Sequence, residues 1–237
     1  MHTDTRDRRP YASELKFLVT PDMGGAISSW ARTHLTADPH GRGTHNDQYT
    51  TTTLYTDTPG QDVFDRRGSY GRSKYRVRRY ETSEVVFLER KLRTKVLLSK
   101  RRTIISIDEL DRLTGTSATD GWVGDWFTGR LGARQLKPVC QVTYDLTARL
   151  TNTPYGLARL TVDEGLAARR IRGWAYEAPD YQPVLVDRQI VELKFAVAMP
   201  AVFKTLVEMF RLEPDTVSKY RLSAALLTAV APVEDVA

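Results

Sequence analysis

Basic residues recur at every second position in one segment of this 237-residue chain. Lys74, Arg76 and Arg78 alternate there with Tyr75 and Val77. Residues i, i+2 and i+4 of a β-strand project from the same face, so the three cations form one row. Like charges side by side in a sheet repel each other unless an anion lies against them. The spacing therefore predicts a surface that binds a polyanion.

The next two segments repeat the arrangement. Glu89 and Lys91 share a face opposite Leu88, and Lys100 shares one with Arg102. A solvated face usually mixes neutral polar residues with both charge signs, whereas here cations dominate. Each strand alone fits an ordinary sheet with one wet face. Together they favour a two-dimensional field of positive charge.

Carboxylates accompany the cations near both ends of the chain. Glu14 shares a face with Lys16, Glu192 shares one with Lys194, and Arg159 belongs to a further alternating segment. If such a sheet curls round, its ionic face becomes an interior of low dielectric, where phosphate is held strongly. Mg²⁺ and Mn²⁺ use carboxylates together with substrate phosphates. We therefore expect a metal ion at one or more of the carboxylates of Glu192, Glu89 and Glu14. A salt bridge to a neighbouring Lys or Arg explains each of these glutamates equally well.

The elements that must position these residues are mostly strands. Period-two alternation predicts them at about residues 14–19, 49–57, 74–80, 85–93, 100–107, 139–150, 157–166 and 184–197. Helices are predicted from Pro21 to about Leu35, within an insertion from Asp108 to about Leu131, and after Pro200. This order predicts an α+β fold in which an antiparallel β-barrel or curled sheet carries flanking helices.

Composition narrows the setting. With 237 residues, 41% of them hydrophobic, the chain can bury one sizeable core, and its net charge of +6 suggests an anionic partner without identifying it. The single cysteine, Cys140, excludes an intrachain disulfide. No stretch is long and apolar enough to span a bilayer, so we expect a soluble, cytoplasmic protein. We predict a disordered start over residues 1–10, one domain over 11–228 and a flexible tail over 229–237.

Several short motifs occur in an order that is known from one family. They are Glu14-Leu15-Lys16-Phe17, Leu54-Tyr55-Thr56-Asp57-Thr58-Pro59, Lys74-Tyr75-Arg76-Val77-Arg78-Arg79-Tyr80, Phe87-Leu88-Glu89-Arg90-Lys91, Arg159-Leu160-Thr161-Val162-Asp163, Val191-Glu192-Leu193-Lys194-Phe195 and Ser218-Lys219-Tyr220. Over about residues 11–222, the chain resembles the VTC domain of polyphosphate polymerases. The resemblance implies the CYTH-like fold of triphosphate tunnel metalloenzymes, an antiparallel β-tunnel.

The resemblance also implies roles for individual residues. It places a metal ion on Glu192 and polar tunnel contacts at Tyr144 and Ser218. The alternation adds Lys74 and Arg102 to the cations that would bind phosphate. The family's phosphate-binding cations match these positions: Lys16, Arg76, Arg78, Lys91, Lys100, Arg159, Lys194 and Lys219. Six of them would act in catalysis: Arg76, Arg78, Lys91, Lys100, Arg159 and Lys194.

Two positions depart from the family pattern. Leu146 stands where a tunnel arginine is usual, and Glu164 replaces a frequent basic residue. Arg149 could compensate for Leu146, but its parity points outward. The resemblance implies polyphosphate synthesis from ATP or another triphosphate with Mn²⁺ or Mg²⁺. Two alternatives stay open: a triphosphatase with the same tunnel, and a non-catalytic polyphosphate-binding domain, which Leu146 favours.

Other candidate sites fit structural roles better. His34, His40 and His45 surround a glycine-rich loop without metal-ligand spacing. Trp122 and Trp126 could stack single-stranded nucleic acid, but a buried aromatic cluster is the simpler interpretation. We expect no nucleic-acid partner, and the sequence does not identify a membrane complex that would receive the product.

Overall fold

The computed structural model of the protein describes residues 4–10, 12–93, 97–115, 121–177 and 180–229. Its strands are β1 (Asp4–Pro10), β2 (Ala12–Val19), β3 (Thr36–Ala37), β4 (Gln48–Asp57), β5 (Ser73–Tyr80), β6 (Val85–Arg93), β7 (Leu97–Ser106), β8 (Lys137–Thr153), β9 (Gly156–Arg170), β10 (Gln182–Pro183) and β11 (Gln189–Ala196). Its α-helices are α1 (Pro21–His34), α2 (Asp125–Ala133), α3 (Ala201–Met209) and α4 (Lys219–Ala229), and 3₁₀ helices span Gly68–Arg72 and Ile107–Thr114.

All eleven strands belong to one antiparallel sheet. Its hydrogen-bonded order is β1-β7-β6-β5-β4-β8-β9-β11-β2, with β10 beside β9 and β3 beside β8. The predicted antiparallel tunnel is confirmed, but the ladder does not close into a barrel within the described residues. The free edge of β2 is partly occupied instead, because the backbone N–H of Asp215 donates to the carbonyl of Lys16 at 2.7 Å.

The apolar face of the sheet lies on the outside of the tunnel, under helices. Phe17 of β2, Leu160 of β9 and Leu193 of β11 are fully buried there against Ile27 of α1 and Phe203 of α3. Burying one such side chain stabilises the fold by about 1.5–3 kcal/mol. This packing fixes which face each strand turns inward, because a register slip of one residue would bury the charges instead.

A second core cluster covers β4 to β8. Tyr75, Val77 and Leu88 lie there with Phe127 of α2, whose ring meets that of Tyr75 edge-on at 5.9 Å. The indole of Trp126 donates to Thr103 at 2.8 Å. The aromatic residues near α2 therefore form part of the core, as the simpler interpretation predicted, and not an exposed stacking platform.

Asp4–Pro10 lies within the segment predicted to be disordered, and here it forms β1 along the edge of β7. The carboxylate of Asp4 accepts hydrogen bonds from Arg101 at 2.8 and 3.1 Å and from Thr103 at 2.9 Å. These bonds offset the ordering entropy of a polar strand, which a composition argument does not include. Residues 1–3 lie outside the described part of the chain.

Other boundaries also changed. The final long strand begins at Gln189 rather than at Val184, and helix α4 was not predicted. Residues 230–237, most of the predicted flexible tail, lie outside the described residues. One domain over residues 11–228 stays a prediction. Within the described chain, no helix is both long and apolar enough to cross a membrane.

Candidate phosphate-binding tunnel

Strand register brings the predicted cations of β5, β6 and β7 side by side. Lys74 lies opposite Lys91, which in turn lies opposite Lys100. One step along, Arg76 lies opposite Glu89, and Glu89 lies opposite Arg102. The alternation in the sequence therefore becomes a continuous inner surface across three strands.

Glu89 is the anion at the centre of this surface, and its side chain is only 1% exposed. Arg76 contacts its Oε2 through Nε and a terminal nitrogen, both at 2.7 Å. Arg102 contacts Oε1 at 2.5 and 2.7 Å, and Lys100 contacts it at 3.0 Å. Burial opposes ionisation of Glu89, but the surrounding cations outweigh it and hold its pKa well below the ordinary value. We call Glu89, Arg76, Lys100 and Arg102 the Glu89 cluster.

Arg78 lies beside this cluster without joining it. Its Nε donates to Thr53 at 3.1 Å, and a terminal nitrogen donates to the Tyr144 hydroxyl at 3.3 Å. No carboxylate of the described residues forms an ion pair with it. Burial disfavours the charged guanidinium, yet Tyr144, Tyr80 and the charge of Glu89 keep the pKa of Arg78 well above its usual range. Arg78 is therefore a half-buried cation that is available to a ligand.

A second group of carboxylates lies across the tunnel. Glu192 is directly opposite Lys16, and Lys194 is directly opposite Glu14. The Lys194 amine contacts Glu192 at 2.9 Å, and the Lys16 amine contacts Glu14 at 3.2 Å. Burial opposes ionisation of Glu192, but Lys194, Lys16 and Lys219 hold its pKa well below the ordinary value. We call Glu14 and Glu192 the paired carboxylates.

One ion pair joins the two walls of the tunnel. Lys91 of β6 contacts Glu14 of β2 at 2.5 Å, although these strands are far apart in the hydrogen-bonded order. Burial and the charge of Glu192 would raise the pKa of Glu14, but Lys91, Lys16 and Lys194 bring it below the ordinary value. Side chains thus connect opposite walls of the curled sheet at a place where the strands themselves are not paired.

The start of helix α4 supplies the remaining predicted contacts. Lys74 donates to the hydroxyl of Ser218 at 2.9 Å. Lys219 forms an ion pair with Asp163, and its amine lies 4.5 Å from the centre of the Tyr144 ring. Burial opposes protonation of Lys219, but Asp163 and other neighbours raise its pKa above the ordinary value. The predicted tunnel residues of α4 are therefore on the same surface as those of the strands.

The sequence interpretation left four tunnel residues out of the site: Tyr49, Asp38, Tyr80 and Asp163. The first two are partners of the predicted Arg159, which donates to the hydroxyl of Tyr49 and contacts Asp38 at 3.0 Å. Tyr80 accepts from Arg102 at 3.0 Å, and the nearby cations, opposing burial, lower its pKa to about 7. Tyr80 and Asp163 share the parity of predicted cations on their own strands, which was a usable signal. Asp38 follows the two-residue strand β3, where no alternation exists.

A cavity of about 40 Å³ remains inside the tunnel, between Arg78, Glu192 and Leu146. Leu146 is 7% exposed, so the predicted departure does place an apolar side chain in the tunnel wall. Arg149 points outward and binds Asp47 at 2.8 Å, so it does not replace the missing cation. A larger depression of about 310 Å³ lies outside the tunnel between the β8–β9 turn and the start of α3, and its lining contains no charged side chain.

The three predicted metal ligands do not converge. Glu14 and Glu192 lie together, whereas the oxygens of Glu89 are occupied by three cations. Among the described residues, no three His, Cys, Asp or Glu side chains form a ready metal cluster. Two adjacent carboxylates nevertheless suit Mg²⁺ or Mn²⁺, which would replace lysine amines that contact both oxygens of Glu14 and one of Glu192. The geometry therefore fits a metal at the paired carboxylates and not at Glu89.

Comparisons with known proteins bear on the fold and on the family. The structure is similar to a candidate adenylate cyclase from Bacillus halodurans, with a TM-score of 0.53, 14% identity, and coverage of 89% of this chain and 95% of that one. It is also similar to a Hippeastrum candidate adenylyl cyclase reported to have dominant triphosphatase activity (TM-score 0.48, 13% identity, 95% and 99% coverage). No curated protein matches the sequence. The family model of the VTC domain matches residues 11–228, so the chain belongs to the VTC domain family.

Proposed function

We propose that the tunnel binds a nucleoside triphosphate and transfers its terminal phosphoryl group to a polyphosphate chain. The observation that carries this proposal is Arg78, a half-buried cation inside the tunnel that forms no ion pair with a carboxylate within the described chain. A guanidinium with no carboxylate of its own keeps its charge available for a phosphate oxygen.

The wall around Arg78 supports phosphate rather than carboxylate or nucleic acid as the ligand. Cations from β2, β5, β6, β7, β9, β11 and α4 face one interior and outnumber its carboxylates. A linear chain of phosphates can contact several walls at once, whereas a duplex is too wide to enter. Guanidinium groups also match phosphate oxygens in two-point contacts.

Phosphoryl transfer in such a site depends on position and charge rather than on a covalent group of the protein. Arg78, with Arg76 and Lys91 on neighbouring positions, would bind the equatorial oxygens of the transferred group. The bond from phosphorus to the bridging oxygen breaks, the electron pair leaves on the nucleoside diphosphate, and an oxygen of the terminal phosphate of the polyphosphate chain forms the new bond. No proton transfer is needed when that acceptor oxygen is already ionised.

Glu192 and Glu14 would hold the divalent ion that the family uses. Such an ion neutralises charge on the bridging and transferred phosphates when it is bound. Glu89 has a different role in this proposal: it holds Arg76, Lys100 and Arg102 in position. The lowered pKa values of Glu192 and Glu14 keep both carboxylates ionised near neutral pH, as a metal site requires.

Leu146 supports a second candidate, a domain that binds polyphosphate without turnover. An arginine lost from the wall removes a possible contact to the transition state, while the other cations still bind the ground state. A triphosphatase would use the same tunnel with water as acceptor. We also keep the prediction of a cytoplasmic location, which rests on the lack of a long apolar stretch in the sequence.

One assay separates these candidates. The purified chain is incubated with ATP and Mn²⁺, and polyphosphate, free phosphate and ADP are resolved. A polymerase forms polyphosphate and ADP in proportion, a triphosphatase forms free phosphate and ADP in proportion, and a binding domain forms none of these products yet binds tripolyphosphate. Arg78→Ala should abolish the product, and Arg79→Ala is the matched control because Arg79 points outward to the carbonyls of Ser83 and Thr82.

A further inference from the structure

Lys74 is at one end of the cation row on β5. Its amine donates to the Ser218 hydroxyl at 2.9 Å, and no carboxylate of the described residues contacts it. The charges that affect it most are positive: Lys16 from β2, Lys91 from β6, Arg76 from β5 and Arg66 from the segment before the first 3₁₀ helix. Lys74 is therefore an amine among cations.

The carboxylate that could relieve this repulsion is already engaged. Glu14 contacts Lys16 at 3.2 Å and Lys91 at 2.5 Å, so it neutralises two of the neighbours rather than Lys74 itself. Burial and the four positive neighbours lower the pKa of Lys74 to about 7. Near neutral pH the empty tunnel thus holds this amine only partly protonated.

Ser218 fixes the direction of the amine. It immediately precedes helix α4, and its hydroxyl also accepts from the backbone N–H of Arg221 at 3.4 Å. Ser218 is 9% exposed and carries no charge, so it orients Lys74 without neutralising it. The amine keeps donors for a further acceptor, since a protonated lysine has three.

We propose that Lys74 and Ser218 form a phosphate subsite that takes up a proton together with the phosphate. The inference rests on the proposed function, because it needs a phosphate chain in the tunnel. It deepens that function by adding a position beyond Arg76 and Arg78: the Cα atoms of Lys74 and Arg78 are about 13 Å apart at the usual strand rise. The row is thus suited to a polyphosphate chain.

The sign of the effect follows from the charges. A phosphate group beside Lys74 favours the ammonium form, so its pKa rises from about 7 on binding. Protons are taken up at pH values above about 7 and below the pKa of the bound form. In that window binding weakens as pH rises, because the amine must first be protonated.

Isothermal titration calorimetry tests the subsite directly. Tripolyphosphate is titrated into the metal-free protein at pH 8 in two buffers of different ionisation enthalpy, which gives the number of protons taken up. We compare wild type with Lys74→Arg, whose guanidinium stays charged and cannot take up a proton. We expect Lys74→Arg to bind at least as tightly as wild type at pH 8, because its charge needs no proton, and to take up fewer protons, by close to one.

The remaining arms keep the outcomes distinct. Lys74→Met should weaken binding by roughly tenfold, as for loss of a charged hydrogen bond, whereas Lys204→Met on the exposed face of α3 should match wild type. Protons exchanged by the probe, Lys100 and Tyr80 largely cancel in the difference between variants. Equal proton uptake by wild type and Lys74→Arg overturns the subsite. Absence of tripolyphosphate binding by wild type instead rejects the proposed function.

Discussion

The Glu89 cluster and the paired carboxylates are built from the same residue types at the same strand spacing, but their charge balance differs. Glu89 stands alone among Arg76, Lys100 and Arg102, and its oxygens are fully engaged. Glu14 and Glu192 instead share a set of lysines and lie close enough to affect each other's pKa.

This difference separates a structural role from a ligand-binding one. A buried carboxylate with several cations on it is costly to disturb, since each cation would lose its partner. Glu192 repels the charge of Glu14 and acts to raise its pKa, so a cation bound between the two carboxylates would relieve that repulsion. The two regions can be told apart by how stability and ligand binding respond to the same Glu→Gln change.

The largest expected effect is on stability, from Glu89→Gln. The change leaves Arg76, Lys100 and Arg102 without their shared carboxylate, and breaking such a buried pair costs about 3–5 kcal/mol. Urea denaturation should show a lower midpoint with an unchanged slope. Glu84→Gln, whose side chain is 84% exposed, is the control and should change stability by less than about 0.5 kcal/mol.

The same variant should lose part of the acid sensitivity. The folded-state pKa of Glu89 lies well below its ordinary value of 4.5. Its contribution to the free energy of unfolding is therefore present above pH 4.5 and is lost as pH falls through the pKa of the folded state. A Glu89→Gln protein that loses stability between pH 5 and 2 as steeply as wild type would contradict this account.

Arg78→Ala should have the next largest effect, and on binding rather than on folding. Arg78 adjoins the Glu89 cluster but forms no ion pair within the described chain, so its removal leaves no carboxylate unpaired. We expect tripolyphosphate to bind at least about 30-fold more weakly, which corresponds to about 2 kcal/mol. Titration calorimetry measures the loss, and the urea midpoint should stay the same or rise. A large fall in that midpoint would place Arg78 with the structural cations.

A smaller effect on stability is expected from Glu192→Gln. Glu14 remains beside the same lysines, so the stability loss should stay below about 2 kcal/mol and below that of Glu89→Gln. Binding of Mn²⁺ in the presence of tripolyphosphate should weaken clearly, as followed by electron paramagnetic resonance. Glu208→Gln on the exposed face of α3 is the control. Unchanged Mn²⁺ affinity would mean that the paired carboxylates are only salt-bridge partners.

The smallest expected effect is a gain in affinity for tripolyphosphate, from Leu146→Arg. Leu146 lies opposite Asp163, whose Oδ1 is buried and has no hydrogen-bond partner among the described residues. A guanidinium there would find that acceptor and add a cation to the wall. We expect tripolyphosphate to bind about fivefold more tightly, or about 1 kcal/mol, with Leu146→Met unchanged. Weaker binding by a folded Leu146→Arg protein would show that the wall has no room for the longer side chain.

The inner face of the tunnel could be predicted from the sequence because period-two alternation is a local property. Lys74, Arg76 and Arg78 are on one face of β5 wherever that strand lies. The apolar alternate residues then fix the direction of the face, since they must be buried. Even the outward direction of Arg149 followed from parity alone.

The partners of each charge could not be predicted in this way. Glu89 and Glu192 look alike in sequence. Only the cross-strand register places cations beside Glu89 and a second carboxylate, Glu14, close to Glu192. Helix α4 was missed because its sequence lacks a clear apolar stripe, and it is held by tertiary contacts such as Tyr220 with Asp57. Strand β1 depends on an edge that exists only after folding.

The ion pair between Lys91 and Glu14 couples the two ligands that we propose for the tunnel. A phosphate bound to Lys91 would release one oxygen of Glu14, and that oxygen would then be available to a metal ion next to Glu192. Anion and cation binding would be positively linked, and thermodynamic reciprocity requires each to strengthen the other by the same factor. The exchange of partners needs no change in the sheet, because β6 and β2 are joined there by side chains and each is paired with other strands.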